Sequence, residues 1–161
     1  LVIDTEDERM TAFESVDALL DFAIEKEEES KKFYTDLAGK MDRPAMKKVF
    51  EGFAAEEQGH LENLLAIKKD KAFTCPVERI QDLKISDYLI DVKPDPEMGY
   101  QDALILAMKK EKATYKLYSE LIQMTEDENL RETLRCLAQE EAKHKLRLEV
   151  EYDEFFLTEA Y

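Results

Sequence analysis

Two glutamate–histidine pairs stand out as residues that could do chemistry. The chain holds only two histidines, and each follows a glutamate by three positions, as Glu57-Gln58-Gly59-His60 and Glu141-Ala142-Lys143-His144. On a helix that step keeps both side chains on one face. Each pair lies on an apolar stripe: Phe50, Phe53, Glu57, His60 and Leu64, then Leu134, Leu137, Glu141, His144 and Leu148. Two further stripes carry one carboxylate each. They are Leu20, Ala23, Glu27, Ser30 and Tyr34, and Leu104, Ala107, Glu111, Thr114 and Tyr118. Burying four carboxylates together is very unfavourable, because desolvation and mutual repulsion oppose their ionisation. Two divalent metal ions would balance the four charges, and each imidazole would add a neutral nitrogen ligand. The expected ligand set is therefore Glu27, Glu57, His60, Glu111, Glu141 and His144.

Neighbouring residues divide into those with a role and those without. Tyr34 and Tyr118 each follow a ligand glutamate by two helical turns. Each is read either as a core tyrosine with a satisfied hydroxyl or as a hydrogen-bond donor to a ligand carboxylate on a facing helix. Glu56 and Glu140 are about 100° around the helix from the ligands and are expected on a solvated face. Glu25, Glu28 and Glu29 form an acidic surface run, and Met108 reads as core packing. Cys75 and Cys136 stand apart, and Cys136 reads as an ordinary helix thiol. With no Cys-x-x-Cys pair, a zinc knuckle or an iron site built on clustered thiolates is excluded.

The elements that must position these residues are four long amphipathic segments of about 26 residues, or roughly 40 Å, each. The first is expected from Thr11 to Gly39, opened by a capping box of Thr11 and Glu14. The second runs from an Asp42 cap, with Pro44 in its first turn, to Asp70. The third follows Pro94-Asp95-Pro96, with Pro96 in its first turn, and runs to Met124. Thr125 and Glu128 form a second capping box opening the fourth, which ends near Tyr152. Short links make segments one and two, and three and four, antiparallel neighbours. A stretch of roughly 25 residues, Lys71 to Asp95, separates the pairs and contains an amphipathic piece, Ile80 to Ile90, able to form a short helix. The second half also lies over the first at one constant offset: Leu20 over Leu104, Glu27 over Glu111, Tyr34 over Tyr118, Glu57 over Glu141 and His60 over His144. The chain is two copies of one helical hairpin.

The expected fold is all-α: a ferritin-like four-helix bundle of two duplicated hairpins joined by a long crossover. Residues 1–161 read as a single domain. Within it, 1–10 form an N-terminal arm, 11–70 the first hairpin, 71–95 the crossover, 96–152 the second hairpin and 153–161 a C-terminal tail. The apolar Phe155, Phe156 and Leu157 suggest that the tail docks. Composition agrees: 44% of residues are hydrophobic, and there are only four glycines and four prolines, leaving helix formers dominant. The net charge of −15 argues against nucleic acid and an anionic membrane surface as partners. No apolar run spans a bilayer and no signal peptide opens the chain. The chain does not start with Met and so reads as beginning inside its gene product, with the cytoplasm as the default location.

These motifs resemble the rubrerythrin branch of the ferritin-like superfamily across all four helices. The family's Ala, Glu and Tyr pattern of helices one and three stands here as Ala23-Glu27-Tyr34 and Ala107-Glu111-Tyr118. Its Glu-Glu-x-x-His pattern stands as Glu56-Glu57-Gln58-Gly59-His60 and Glu140-Glu141-Ala142-Lys143-His144. The resemblance implies two iron ions, with manganese or zinc as other occupants that the same donors accept. It also implies that Glu57 and Glu141 bridge the ions, with Glu27 and His60 at one end and Glu111 and His144 at the other. The implied activity is oxidoreduction of peroxide or dioxygen with electrons from an external donor, and by analogy a homodimer. Two departures count against efficient peroxide reduction. Thr114 stands where the family carries an additional carboxylate, and no rubredoxin-like module is read in the chain. The competing functions are a ferroxidase or iron-binding protein for detoxification or storage, and a metal-braced structural or interaction module.

Overall fold

The computed structural model describes residues 16–69, 75–89 and 92–157. Its four long helices are α1 (Val16–Lys40), α2 (Pro44–Lys68), α3 (Tyr100–Met124) and α4 (Glu128–Tyr152), each of 25 residues. No strand occurs among the described residues. α1 packs along α2 and α3 along α4, and the two hairpins meet with their apolar stripes inward.

The helix starts differ in detail from the sequence expectation. Pro44 occupies the first helical position, which pushes the preceding residue into extended backbone, so Arg43 rather than Asp42 is the N-cap of α2. Pro96 belongs to a turn, not to α3. Asp95 accepts from Glu97 N at 2.8 Å through its side chain and from Met98 N at 3.2 Å through its carbonyl, and α3 starts after Gly99. Thr125 closes α3 in extended backbone, and Asp127 caps α4 by accepting from Leu130 N at 2.9 Å. The proposed Thr125–Glu128 box is thus replaced by a simple aspartate cap. The arm 1–10 and the Thr11–Glu14 box lie outside the described residues.

The crossover is tied to α4 and α3 by contacts no local pattern announces. Cys75 and Cys136, read as separate thiols, form a disulfide with Cα atoms 5.9 Å apart. Beside it Arg135 donates to the Cys75 carbonyl at 2.8 Å, and Glu78 N donates to Gln139 at 2.9 Å. Further on, Lys145 joins Asp82 and Glu149, and Ile85 N donates to Glu149 at 3.1 Å. Glu78 N and Ile85 N bond α4 side chains, and among the described residues the helix expected over Ile80–Ile90 is reduced to a 3₁₀ turn, Ile85–Tyr88, with Asp87 N donating to the Lys84 carbonyl at 3.1 Å. In the described part of the tail, a π turn over Asp153–Leu157 brings Phe155 edge-on to Tyr100 at 5.5 Å and Phe156 to Tyr152, while Phe155 and Leu157 stay exposed.

The apolar core is in two pieces. One gathers Tyr34, Leu37, Phe50, Phe53, Leu104, Met108 and Leu148; the other Leu20, Ala23, Leu64, Leu121, Leu130, Leu134 and Leu137. Between them lies a layer of charged side chains. No described helix is long and apolar enough to cross a membrane.

Candidate metal centre

The mid-length position of each expected ligand on its stripe puts all six at one level of the bundle. Glu27 comes from α1, Glu57 and His60 from α2, Glu111 from α3, and Glu141 and His144 from α4, and every one is buried. They divide into two overlapping groups of donor atoms, Glu27, Glu57, His60 and Glu141, and Glu57, Glu111, Glu141 and His144. Glu57 and Glu141 belong to both.

The spacing fits a cation. His60 Nδ1 stands 3.4 Å from an oxygen of each of Glu27, Glu57 and Glu141. His144 Nδ1 stands 3.2, 3.5 and 3.6 Å from Glu57, Glu111 and Glu141. Four donors at tetrahedral corners about 2.1 Å from a common centre, a bond length zinc makes to carboxylate and imidazole, would stand about 3.4 Å apart. Both oxygens of Glu57 and of Glu141, one oxygen of Glu111 and both ring nitrogens of His144 are buried without a hydrogen-bond partner. A folded protein leaves few such atoms unmatched, and a group converging on one place points to a shared ligand.

Two tyrosines complete the layer. The Tyr34 hydroxyl on α1 donates to Glu111 on α3, and the Tyr118 hydroxyl on α3 donates to Glu27 on α1. Each hydroxyl is therefore satisfied by a carboxylate of a facing helix. Burial, reinforced by the neighbouring carboxylates, pushes both phenols well above their usual range, so they remain donors at neutral pH.

Crowding shows in how the acids and imidazoles titrate. Burial, with the neighbouring Glu57, pushes the Glu27 carboxyl up to about 8. Burial and the charges of Glu111 and Glu57 raise Glu141 well above the usual carboxylate range. Burial also works against the charge on Glu57, but contacts with Glu27, His144 and His60 outweigh it and hold that group low. Burial would lower His60, yet Glu141, Glu27 and Glu57 push it up to about 12. His144 is raised for the same reasons by Glu111, Glu141, Glu56 and Glu57. Glu27, Glu141, His60 and His144 are thus all shifted toward holding protons, which a metal ion would have to displace.

The sequence reading missed Glu56. Assigned to a solvated face, it is 42% exposed, yet its carboxylate meets Nε2 of His144 as a charge contact outside hydrogen-bond alignment. Burial opposes its ionisation, but His144 and Arg147 hold the group down at about 2. A helical wheel places Glu56 correctly off its own stripe and says nothing of the facing helix it reaches. Thr114 does not point its hydroxyl at the carboxylates; Oγ1 donates to the Lys110 carbonyl at 3.0 Å.

The comparisons agree with this geometry. The family model described as Rubrerythrin matches residues 18–152. Among solved structures, a hypothetical protein from Pyrococcus furiosus is similar over 91% of this chain and 92% of its own, with a TM-score of 0.62 and 26% identity. No curated protein matches the chain.

Proposed function

We propose, from the premise that this chain belongs to the rubrerythrin family, that Glu27, Glu57, His60, Glu111, Glu141 and His144 hold two iron ions with which it reduces peroxide or dioxygen. The family and the Glu/His clusters make this a di-iron carboxylate oxidoreductase type of site; the metal and the oxidant are our reading. The observation that carries it is the convergence of buried, unpartnered carboxylate and imidazole atoms at the spacing of metal donors.

Each residue then has a task. Glu27 and His60 close one end, Glu111 and His144 the other, and Glu57 and Glu141 serve both. Tyr34 and Tyr118 hold the end carboxylates in one rotamer from across the bundle, so little reorganisation remains when a cation enters. The flanking apolar clusters exclude water and strengthen every electrostatic contact in the layer. When bound, a pair of ferrous ions supplies two electrons, one from each ion. Peroxide with two electrons and two protons gives two waters, and an external donor must restore the electrons.

The test loads the metal-free chain anaerobically with Fe(II), adds peroxide, and counts iron oxidised per peroxide consumed. The expected result is two irons bound per chain and two oxidised per peroxide, with loading lost in Glu57→Ala and His144→Ala. Uptake of iron far beyond two per chain, with mineral formed, would replace this reading with iron storage. Iron that binds but never changes oxidation state would leave the metals as a brace.

A further inference from the structure

The Cys75–Cys136 disulfide lies outside the carboxylate layer, and its surroundings have no counterpart in the first hairpin. At the offset of the repeat, Cys136 falls on Gly52, Arg135 on Glu51, Gln139 on Ala55 and Glu132 on Lys48. α2 packs along α1 without this cluster, so the hairpin plan does not require it. Nor does the bond alone hold the crossover to α4. Arg135 Nη2 donates to the Cys75 carbonyl at 2.8 Å. Gln139 donates from Nε2 to the Pro76 carbonyl at 3.0 Å and accepts from Glu78 N at 2.9 Å. Lys143 pairs with Glu78 as well. None of these contacts needs the sulfur–sulfur bond.

The two sulfurs differ in access. Cys136 is 1% exposed, whereas Cys75 is half-buried and is followed by the exposed Pro76 and by Val77, which is 82% exposed. They share one cation. Arg135 Nη2 lies 3.4 Å from Cys75 Sγ and 3.8 Å from Cys136 Sγ, and Gln139 Nε2 lies 3.9 Å from Cys75 Sγ. A neighbouring guanidinium favours thiolate over thiol and makes a sulfur a better leaving group. Glu132 works in both directions. It holds the guanidinium in place, accepting from Nε at 3.1 Å and from Nη2 at 2.5 Å. Its carboxylate also lies within 4.8 Å of both sulfurs, where it opposes negative charge.

We propose that Cys75 and Cys136 are a thiol–disulfide exchange centre that opens and closes in the folded protein, with dithiols as its substrate class. A thiolate of the dithiol bonds Cys75 Sγ as the bond to Cys136 Sγ breaks, and the electron pair leaves on Cys136 beside Arg135. The second sulfur of the dithiol then attacks the first, closes a disulfide within the reagent and releases Cys75. The dithiol is oxidised by two electrons, the protein disulfide is reduced by two, and the two thiol protons end on Cys75 and Cys136. The contacts of Arg135, Gln139 and Lys143 keep residues 75–78 on α4 while the bond is open, so the reverse exchange finds the two sulfurs in register. Arg135 and Gln139 are positioning residues, and the exchange uses no metal.

The experiment treats the full chain with dithiothreitol without denaturant, quenches with acid at intervals, alkylates, and counts added groups by intact mass. We expect two alkyl groups per chain to appear while the helical circular dichroism stays unchanged, and oxidised dithiothreitol to remove them again. Thiols that appear only in denaturant, or only as fast as helix is lost, would overturn the proposal, since the bond would then open by unfolding. Access is read with an aromatic disulfide reagent: the Cys75 thiol of Cys136→Ser should react many-fold faster than the Cys136 thiol of Cys75→Ser. Should either variant fail to fold, the wild type trapped with a monothiol carries the test, the adduct being expected on Cys75. An adduct on Cys136, or the reverse order of reactivity, would contradict the assignment. Glu132→Gln keeps an acceptor for Arg135 and should open several-fold faster, because it removes the opposing charge. Unchanged or slower opening would count against activation by Arg135.

Discussion

The apolar clusters and the charged layer between them are equally buried and do opposite things. Phe50 and Leu134 are fully enclosed by carbon, and so are Glu57 and Glu141 by their surroundings. Burial of the first pair stabilises the fold in any solution. Burial of the second pair opposes it unless protons or cations compensate. The clusters therefore hold the layer together, and the layer gives back stability only when something positive occupies it. The duplicated hairpins thus bring carboxylates together at a standing cost, as a functional site does and a structural core does not.

The largest expected effect lies in the clusters. Phe50→Ala should destabilise the protein by about 3–5 kcal/mol, with or without metal, as read by denaturant unfolding. Equal stability in the variant would break the division of labour. The layer should behave the other way. Metal at about a thousand times its dissociation constant should add about 4 kcal/mol to the wild type. It should add almost nothing to Glu141→Gln, whose metal-free form is expected to be at least as stable as the wild type. Metal-induced stabilisation surviving that substitution would count against the layer as the binding site.

A pH series sharpens the same contrast. Glu27 is raised to about 8 and His60 to about 12, so the folded chain keeps protons that the unfolded chain releases. Their contribution is present in full below about pH 4 for Glu27 and about pH 6 for His60. It is lost as pH rises through the folded values. The metal-free protein should therefore lose thermal stability between pH 5 and 9, whereas metal binding, which displaces these protons, should tighten over the same range. Glu56, held at about 2, has the reverse sign: its contribution is present above the ordinary carboxylate range and disappears as pH falls through about 2. The smallest effect is expected from Tyr118→Phe. It removes one donor to Glu27 and should cost about 1 kcal/mol while loosening metal binding at that end.

Much of this was legible in the residues themselves. The long stretches of helical period and the recurrence of the same key residues at one constant offset in the two halves specify four helices. A three-residue glutamate–histidine spacing on an apolar stripe specifies which side chains meet at the centre. What the sequence could not display is contact between elements far apart in the chain. Cys75 finds Cys136, and Glu78 and Ile85 lend their N–H groups to Gln139 and Glu149, because the crossover folds back along α4. Glu56 lies on the solvated face expected of it, and what stayed hidden, for a related reason, is its contact with His144 and Arg147 on α4. Helix starts moved by only a few residues, where Pro44, Asp95 and Asp127 imposed their own turn and cap geometry.

The central claim is that these six side chains hold two metal ions. An anomalous-difference map from crystals of the iron-loaded protein, collected at the iron edge, tests it most directly. The account predicts two peaks of similar height, one among Glu27, Glu57, His60 and Glu141 and the other among Glu57, Glu111, Glu141 and His144. A map with no peak in the layer, or with iron only at surface carboxylates, would contradict it.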